Sequence, residues 1–258
     1  MRLFLLALSL AFLALLAYLL LPVGSQRAVL LGSDARAEEP SRSDTILVTR
    51  AGGGALSVPR DTLVEIPGVG EDKVNAALAY DGPSLTVETL EKLTGVRIGN
   101  YVVLNFGGVE EIVDALGGVT INVEEPIAYN LDGRYADIPA GEQTLDGFEA
   151  LAYVRYRGTP SADIGRIGNQ QKFLTALVRE ATSPSKLAYL PRAARAVLNN
   201  TETNMNPIEA ARFALQTWLW RNEEPAGIYP GSPQYIGGVS YWVPNKDAGE
   251  QVVEATIG

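Results

Sequence analysis

YVVLNFGGVEEIVDALGGVTINV, residues Tyr101–Val123, decides the fold class. Its first six residues, YVVLNF, are rich in β-branched and aromatic side chains and run into Gly107 and Gly108, which predicts a strand and a turn. Val109–Leu116 then carries apolar residues at helical spacing and stops at Gly117 and Gly118, where a left-handed residue readily closes a helix. In Val119–Val123 apolar and polar residues alternate again with period two, so a second strand follows. Such a strand–helix–strand unit hides one face of its helix against a sheet.

The same pattern extends in both directions. Arg27–Gly32 reads as a short buried strand ending at the polar turn Ser33–Arg36. DTILVTR from Asp44 and ALSVPR from Ala55 read as two more strands, with Gly52, Gly53 and Gly54 as the hairpin loop between them. Lys73–Tyr80 and Leu85–Leu93 have helical spacing, with Ser84 or Thr86 as caps and Gly95 as a stop. Asp146 with Glu149 three residues on forms a capping-box signature. Further helices are predicted over Arg166–Ala181, from Ser183–Pro184, and over Ala210–Trp220 behind Asn206, Pro207 and Glu209. Ala226–Tyr229 and Val239–Val243 read as a closing pair of strands. Strands alternating with helices, and no linker rich in Pro, Gly or Ser, predict an α/β body with a mixed sheet covered by helices.

Composition limits the chemistry. Of 258 residues, 47% are apolar and 20% charged, which is ordinary for a globular protein. Zero Cys and zero His remove disulfides, thiolate zinc sites and imidazole bases, leaving Asp, Glu, Arg, Lys, Tyr, Ser and metal-bound water to do any chemistry. A net charge of −9 gives no basic surface for nucleic acid. Between Leu3 and Leu21 only Ser9 and Tyr18 are even mildly polar, and the stretch approaches the roughly 20 residues that cross a bilayer core. It is read as a single-pass anchor within residues 1–24, placing residues 25–258 outside the cytoplasm at the cell membrane; a cleaved signal peptide is the competing reading.

Against the acidic background, Arg155, Arg157, Asp163 and Arg166 crowd one short stretch. Guanidinium forks match phosphate oxygens two at a time and never deprotonate, so the group is a candidate phosphate clamp. A solvated helix face with i,i+3 ion pairs is the alternative. Arg155 and Arg157 point to one side only if extended, which predicts that the helix begun at Asp146 gives way by about Tyr153. Asp34 and Asp44 flank the second strand, where carboxylates without a nearby imidazole suit a hard ion such as Mg2+; turn capping explains either one equally simply. Arg42 and Arg60 add cations after adjacent strands, and Asp61 is read as a turn cap. Lys73 and Asn75 open the predicted helix, and a lysine in a first turn opposes the helix dipole, which points to an anionic partner. No Gly-Lys-Ser/Thr follows the glycine-rich runs, so no P-loop is present.

Taken in order, LLGSDAR, SRSDTILV, LSVPRD, KVNAALAY, the opening stretch, IPAGEQTLDGFEALAYVRYR and DIGRIGNQQKFL resemble the LytR-CpsA-Psr family of cell-wall glycopolymer transferases, over about Val29 to Val178. The resemblance implies an α/β/α arrangement around a mostly antiparallel sheet with a hydrophobic pocket for a lipid chain. It implies a Mg2+- (or Mn2+-) dependent enzyme that moves a glycosyl phosphate from a polyprenyl-pyrophosphate carrier to a peptidoglycan hydroxyl. It further implies Asp34 and Asp44 at the metal, Arg42, Arg60, Lys73, Arg155, Arg157 and Arg166 at the pyrophosphate, and functional roles for Asp163 and Gln170. Asn75, beside Lys73, is taken with the substrate-binding set. Val109–Leu116 and Phe173–Val178 are candidates to line the lipid pocket, or plain core. One departure is Asn169, where the family usually has Arg before the Gln of its last signature. Hydrolysis of the carrier pyrophosphate, or lipid binding without turnover, are the competing functions.

Overall fold

The computed structural model describes residues 26–33, 42–51, 54–131, 133–156, 162–181, 183–219 and 226–258. In chain order, β1 (Arg27–Ser33), β2 (Ser43–Arg50) and β3 (Ala55–Ser57) lead to a small hairpin of β4 (Leu63–Ile66) and β5 (Gly70–Lys73). Then come α1 (Ala76–Thr94), β6 (Asn100–Asn105), α2 (Phe106–Leu116) and β7 (Val119–Val123). A run of short strands follows, β8 (Ile127–Leu131), β9 (Arg134–Ile138) and β10 (Gly141–Leu145), before α3 (Gly147–Arg155) and α4 (Ala162–Ala181). After a 3-10 turn at Pro184–Lys186, the chain continues as α5 (Leu190–Asn200), β11 (Thr201–Thr203) and α6 (Pro207–Leu219). It finishes with β12 (Ala226–Ile228), the hairpin β13 (Gly231–Ile236) and β14 (Val239–Pro244), and α7 (Lys246–Thr256).

Six strands form the central sheet in the order β11-β6-β1-β2-β3-β12. Only β1–β6 and β3–β12 are parallel, so the sheet is mixed and mostly antiparallel, as expected. Alternation sends Val29 and Leu31 of β1, with their register partners Val48 and Ile46, to one face. There they pack with Leu85 and Leu90 of α1 and Val253 of α7. Full burial of each such side chain contributes about 1.5–3 kcal/mol, before the entropy of ordering it is counted. A second core gathers α2, α3, α4 and α5 around β7–β10, and joins the sheet through Leu104.

Two local expectations are corrected. Lys73 ends β5, opposite Leu63, instead of opening a helix; its amide donates to the Asp72 carboxylate at 2.7 Å. The two helical segments expected on either side of Asp81 are both present within α1, separated by non-helical backbone at Asp81 and at Gly82, which takes φ 71° ahead of Pro83. The two strands expected to close the fold do not pair with each other: β12 joins β3, and β14 folds back on β13. By contrast, α3 begins on the predicted capping box, with Asp146 accepting from the Glu149 amide and Glu149 from the Asp146 amide.

The spanning helix and the single-pass membrane location drawn from it are also corrected. No helix among the described residues is long and apolar enough to cross a membrane. The Leu3–Leu21 stretch on which that reading rested lies outside the described residues.

Two buried tyrosines tie the fold to pH. Burial, helped by the charge of Glu124, pushes the Tyr153 phenol up to about 12, and burial raises Tyr229 as well. A raised phenol contributes stability that is whole below the unfolded value near 10 and is lost as pH climbs through the folded one. The melting temperature is therefore expected to fall between about pH 10 and 12. Tyr153→Phe should flatten that limb in thermal melts run across the range.

Candidate functional site

The site is built at one end of the sheet, where β1 and β2 bring Ser33 opposite Ser43 across an irregular register. Pairing continues one residue past β3, through Val58 N to Ile46 O at 3.0 Å. A turn follows, closed by Thr62 N to Pro59 O at 3.0 Å, and it holds Arg60 beside the start of β2. Arg60 Nη1 donates to Asp44 Oδ1. Arg60 Nε lies 3.4 Å from Asp61 Oδ2, and Lys73 Nζ donates to Asp61 Oδ1 at 2.7 Å. The result is an alternating chain, Asp44–Arg60–Asp61–Lys73, whose side chains are 21–26% exposed. At that depth the pairs are screened less than exposed ones, yet water still reaches them.

A pocket of about 90 Å³ opens on this chain, with Asp44, Thr45, Arg60, Asp61, Gln170 and Tyr241 in its wall. Gln170 arrives with α4, which is tied to the sheet by Gln171 Nε2 donating to Ser57 Oγ at 3.0 Å. Asn169, in place of the usual Arg, donates through Nδ2 to the Tyr153 carbonyl at 3.4 Å and so links α4 to α3. The hairpin β13–β14 forms the opposite wall. Its base is pinned by Trp242, whose amide donates to Asp61 O at 2.9 Å and whose indole donates to Tyr229 O at 3.2 Å. Lys73 Nζ lies 5.5 Å from the centre of the Tyr241 ring, a cation–π distance.

Asp44, Arg60 and Gln170 thus line one pocket, and Lys73 joins them through Asp61. Asn75 is close by in backbone terms, its amide donating to Arg60 O at 3.2 Å, and its buried Oδ1 has no hydrogen-bond partner. Arg42 is exposed just before β2. It acts on Tyr80, whose phenol is raised chiefly by its hydrogen bond to Asp72 and is drawn the other way by Arg42. Arg155 ends α3, and Tyr156 then turns extended at ψ 134°. The helix therefore runs two residues past the expected break, and Arg155 is not among the described residues lining the pocket. Asp34 and Arg157 lie outside the described residues; Asp163 and Arg166 fall in α4, with side chains outside the description.

Asp61 was the residue missed: it bridges two cations instead of merely capping a turn. The adjacent Arg60 was the only signal for it in the sequence. Tyr241 and Trp242 left none, because they reach the pocket from far along the chain.

The oxygen chemistry is compatible with a hard cation. Among the described residues no three acidic side chains cluster closely enough to hold a metal. Asp44 nevertheless lines the pocket, and the fully buried hydroxyls of Ser33 and Ser43, paired at the ends of β1 and β2 beside it, have no hydrogen-bond partner. One or two carboxylates completed by substrate oxygens and water is the donor set that Mg2+ takes.

Known proteins extend these observations. The chain is 45% identical over 150 residues to the probable cell wall biosynthesis protein LcpB of Corynebacterium glutamicum, covering 57% of this chain and 36% of that protein. It therefore spans little more than a third of that relative's length. Over 227 residues it is 32% identical to the polyisoprenyl-teichoic acid–peptidoglycan teichoic acid transferase TagU of Oceanobacillus iheyensis, covering 83% of this chain and 70% of that one. The crystal structure of B. subtilis TagV matches with a TM-score of 0.77 at 28% identity, over 91% of this chain and 96% of that one. A structure of TagT bound to LI-WTA matches with a TM-score of 0.71 at 28% identity, over 90% of each chain. The family model covers residues 22–257, leaving only the two ends outside it, and the chain therefore belongs to the LytR_cpsA_psr family.

Proposed function

We propose that the chain is a phosphotransferase that moves a glycosyl phosphate from a polyprenyl-pyrophosphate carrier to a peptidoglycan hydroxyl. The observation that carries this reading is the half-buried chain Asp44–Arg60–Asp61–Lys73 at the pocket. Relatives named as teichoic acid transferases support it. In the reaction, the acceptor oxygen attacks the phosphorus next to the sugar. The bond from that phosphorus to the polyprenyl phosphate breaks, and polyprenyl phosphate leaves. Such a transition state needs positioning and neutralised oxygens more than covalent catalysis.

Arg60 in the pocket wall supplies that neutralisation, with Lys73 behind it through Asp61, and Arg155, Arg157 and Arg166 are assigned to extend it. Gln170 orients the diphosphate, and Arg42 and Asn75 are assigned to substrate binding. Asp163 orients the acceptor hydroxyl or takes its proton. Asp44, with Asp34, would hold Mg2+, which draws charge from the phosphate oxygens when bound. A polyprenyl chain would need apolar surface beside the pocket, and the apolar residues of α2 and α4, most of them packed in the second core, are the candidates for it.

The test uses the full chain, a lipid-linked glycan donor and peptidoglycan strands. Asp44→Asn is expected to lower formation of the phosphodiester product at least a hundredfold, on the scale of about 2.7 kcal/mol. A wild-type rate in that variant places the chemistry elsewhere. Release of free glycosyl phosphate at one rate with and without acceptor identifies a hydrolase instead.

A further inference from the structure

Charge is absent from one whole element. From Gly231 to Pro244 (GSPQYIGGVSYWVP) no Asp, Glu, Lys or Arg occurs, in a chain where such residues make up 20%. This is the hairpin β13–β14, and its outer half is bare: Tyr235 is 81% exposed, Ile236 46% and Val239 44%. The ribbon is nevertheless well defined. Gly237 and Gly238 take φ 59° and 83°, as a primed two-residue turn demands, and Trp242 fixes the base. Cross-strand pairs Pro233–Trp242 and Tyr235–Ser240, with period-two alternation, put Tyr235 on the face of Pro233, Ser240 and Trp242. Those three residues line the ion-paired pocket, so Tyr235 continues the pocket wall outward.

We propose that this face of the hairpin is the acceptor subsite and binds a neutral glycan strand, with the Tyr235 ring against a pyranose face and the Ser240 hydroxyl on a sugar oxygen. Its role in a reaction rests on the transferase reading above; its binding chemistry does not. Charge is segregated across the pocket: Arg60 in its wall suits a phosphorylated guest, whereas the ribbon face of Pro233, Tyr235, Ser240 and Trp242 carries no charge. A neutral, hydroxyl-rich polymer satisfies those groups. A lipid tail would cover the Tyr235 ring but leave the Ser240 hydroxyl without a partner.

The experiment titrates the full chain with a neutral N-acetylglucosamine hexamer, followed by calorimetry and by Tyr ring signals in NMR. Wild type is expected to bind, Tyr235→Ala to raise Kd at least tenfold, and Ile236→Ser, on the other face, to change it less than twofold. The acceptor KM for transfer should rise with Tyr235→Ala by the same factor as Kd. No binding by wild type at millimolar hexamer, or an unchanged Kd in Tyr235→Ala, overturns the subsite. So does a result in which both variants lose adsorption to phosphatidylcholine vesicles while the hexamer titration stays flat. If the hexamer binds through Tyr235 and no phosphodiester forms, the subsite stands and the transferase reading falls. If transfer proceeds with an unaltered acceptor KM in Tyr235→Ala, the subsite falls and the transferase reading stands.

Discussion

Arg60→Ala is expected to lower the single-turnover rate of glycosyl-phosphate transfer by at least a hundredfold, the largest effect of any single cation at the pocket. Arg60 lies between two carboxylates and lines the cavity, so its removal has two consequences. Transition-state oxygens lose a preorganised donor, and donors of that kind typically contribute a hundredfold or more to rate. Asp44 and Asp61 are also left without the cation between them, and their field then opposes an incoming diphosphate. Arg60→Lys should recover only part of the rate, because an ammonium keeps the charge and loses the fork. Equal rates for Arg60→Ala and wild type would remove the residue from the reaction. A thermal melt of each variant separates loss of chemistry from loss of fold.

Gly147→Ala should lower unfolding free energy by about 3 kcal/mol, at the upper end of overpacking costs. Gly147 is the first residue of α3, and a β-carbon there would meet the Glu110 carbonyl oxygen and lie 2.8 Å from that residue's carbonyl carbon and Cα. These are backbone atoms of α2, which cannot swing aside as a side chain can. The Gly147 amide also donates to Asp114 Oδ1 at 2.8 Å, so separating the helices breaks a second contact. Gly168, inside α4, has nothing within 4 Å of its virtual β-carbon. Gly168→Ala is expected to stabilise the fold slightly, by about 0.5–1 kcal/mol. Urea titration of both variants checks the pair, and similar midpoints would refute the close α2–α3 approach.

What was legible in the sequence follows the range of the interactions involved. The strand–helix–strand unit of β6, α2 and β7 and the cap at Asp146 depend on neighbours a few residues apart, and the structure has all of them. Pairing partners were not legible. β12 and β14 have similar local character, and only contacts made elsewhere send one to β3 and the other to β13. Lys73 was placed in a helix because the apolar spacing of Val74–Leu78 begins beside it; pairing with Leu63 instead makes it the end of a strand. At the site, residue types that suit an anion pointed to Arg60 and Lys73, and a carboxylate that suits a hard ion pointed to Asp44. The Asp61 bridge and the hairpin wall required folding back across the chain, which no local pattern records.

Because Arg60 and Lys73 already have carboxylate partners, the pocket behaves as an ion exchanger more than as an open trap. Any anionic guest must outcompete Asp61 for both cations, and a guest with more phosphate charge does so better than one with less. Asp61 is thus a built-in competitor that favours expulsion of the less charged anion.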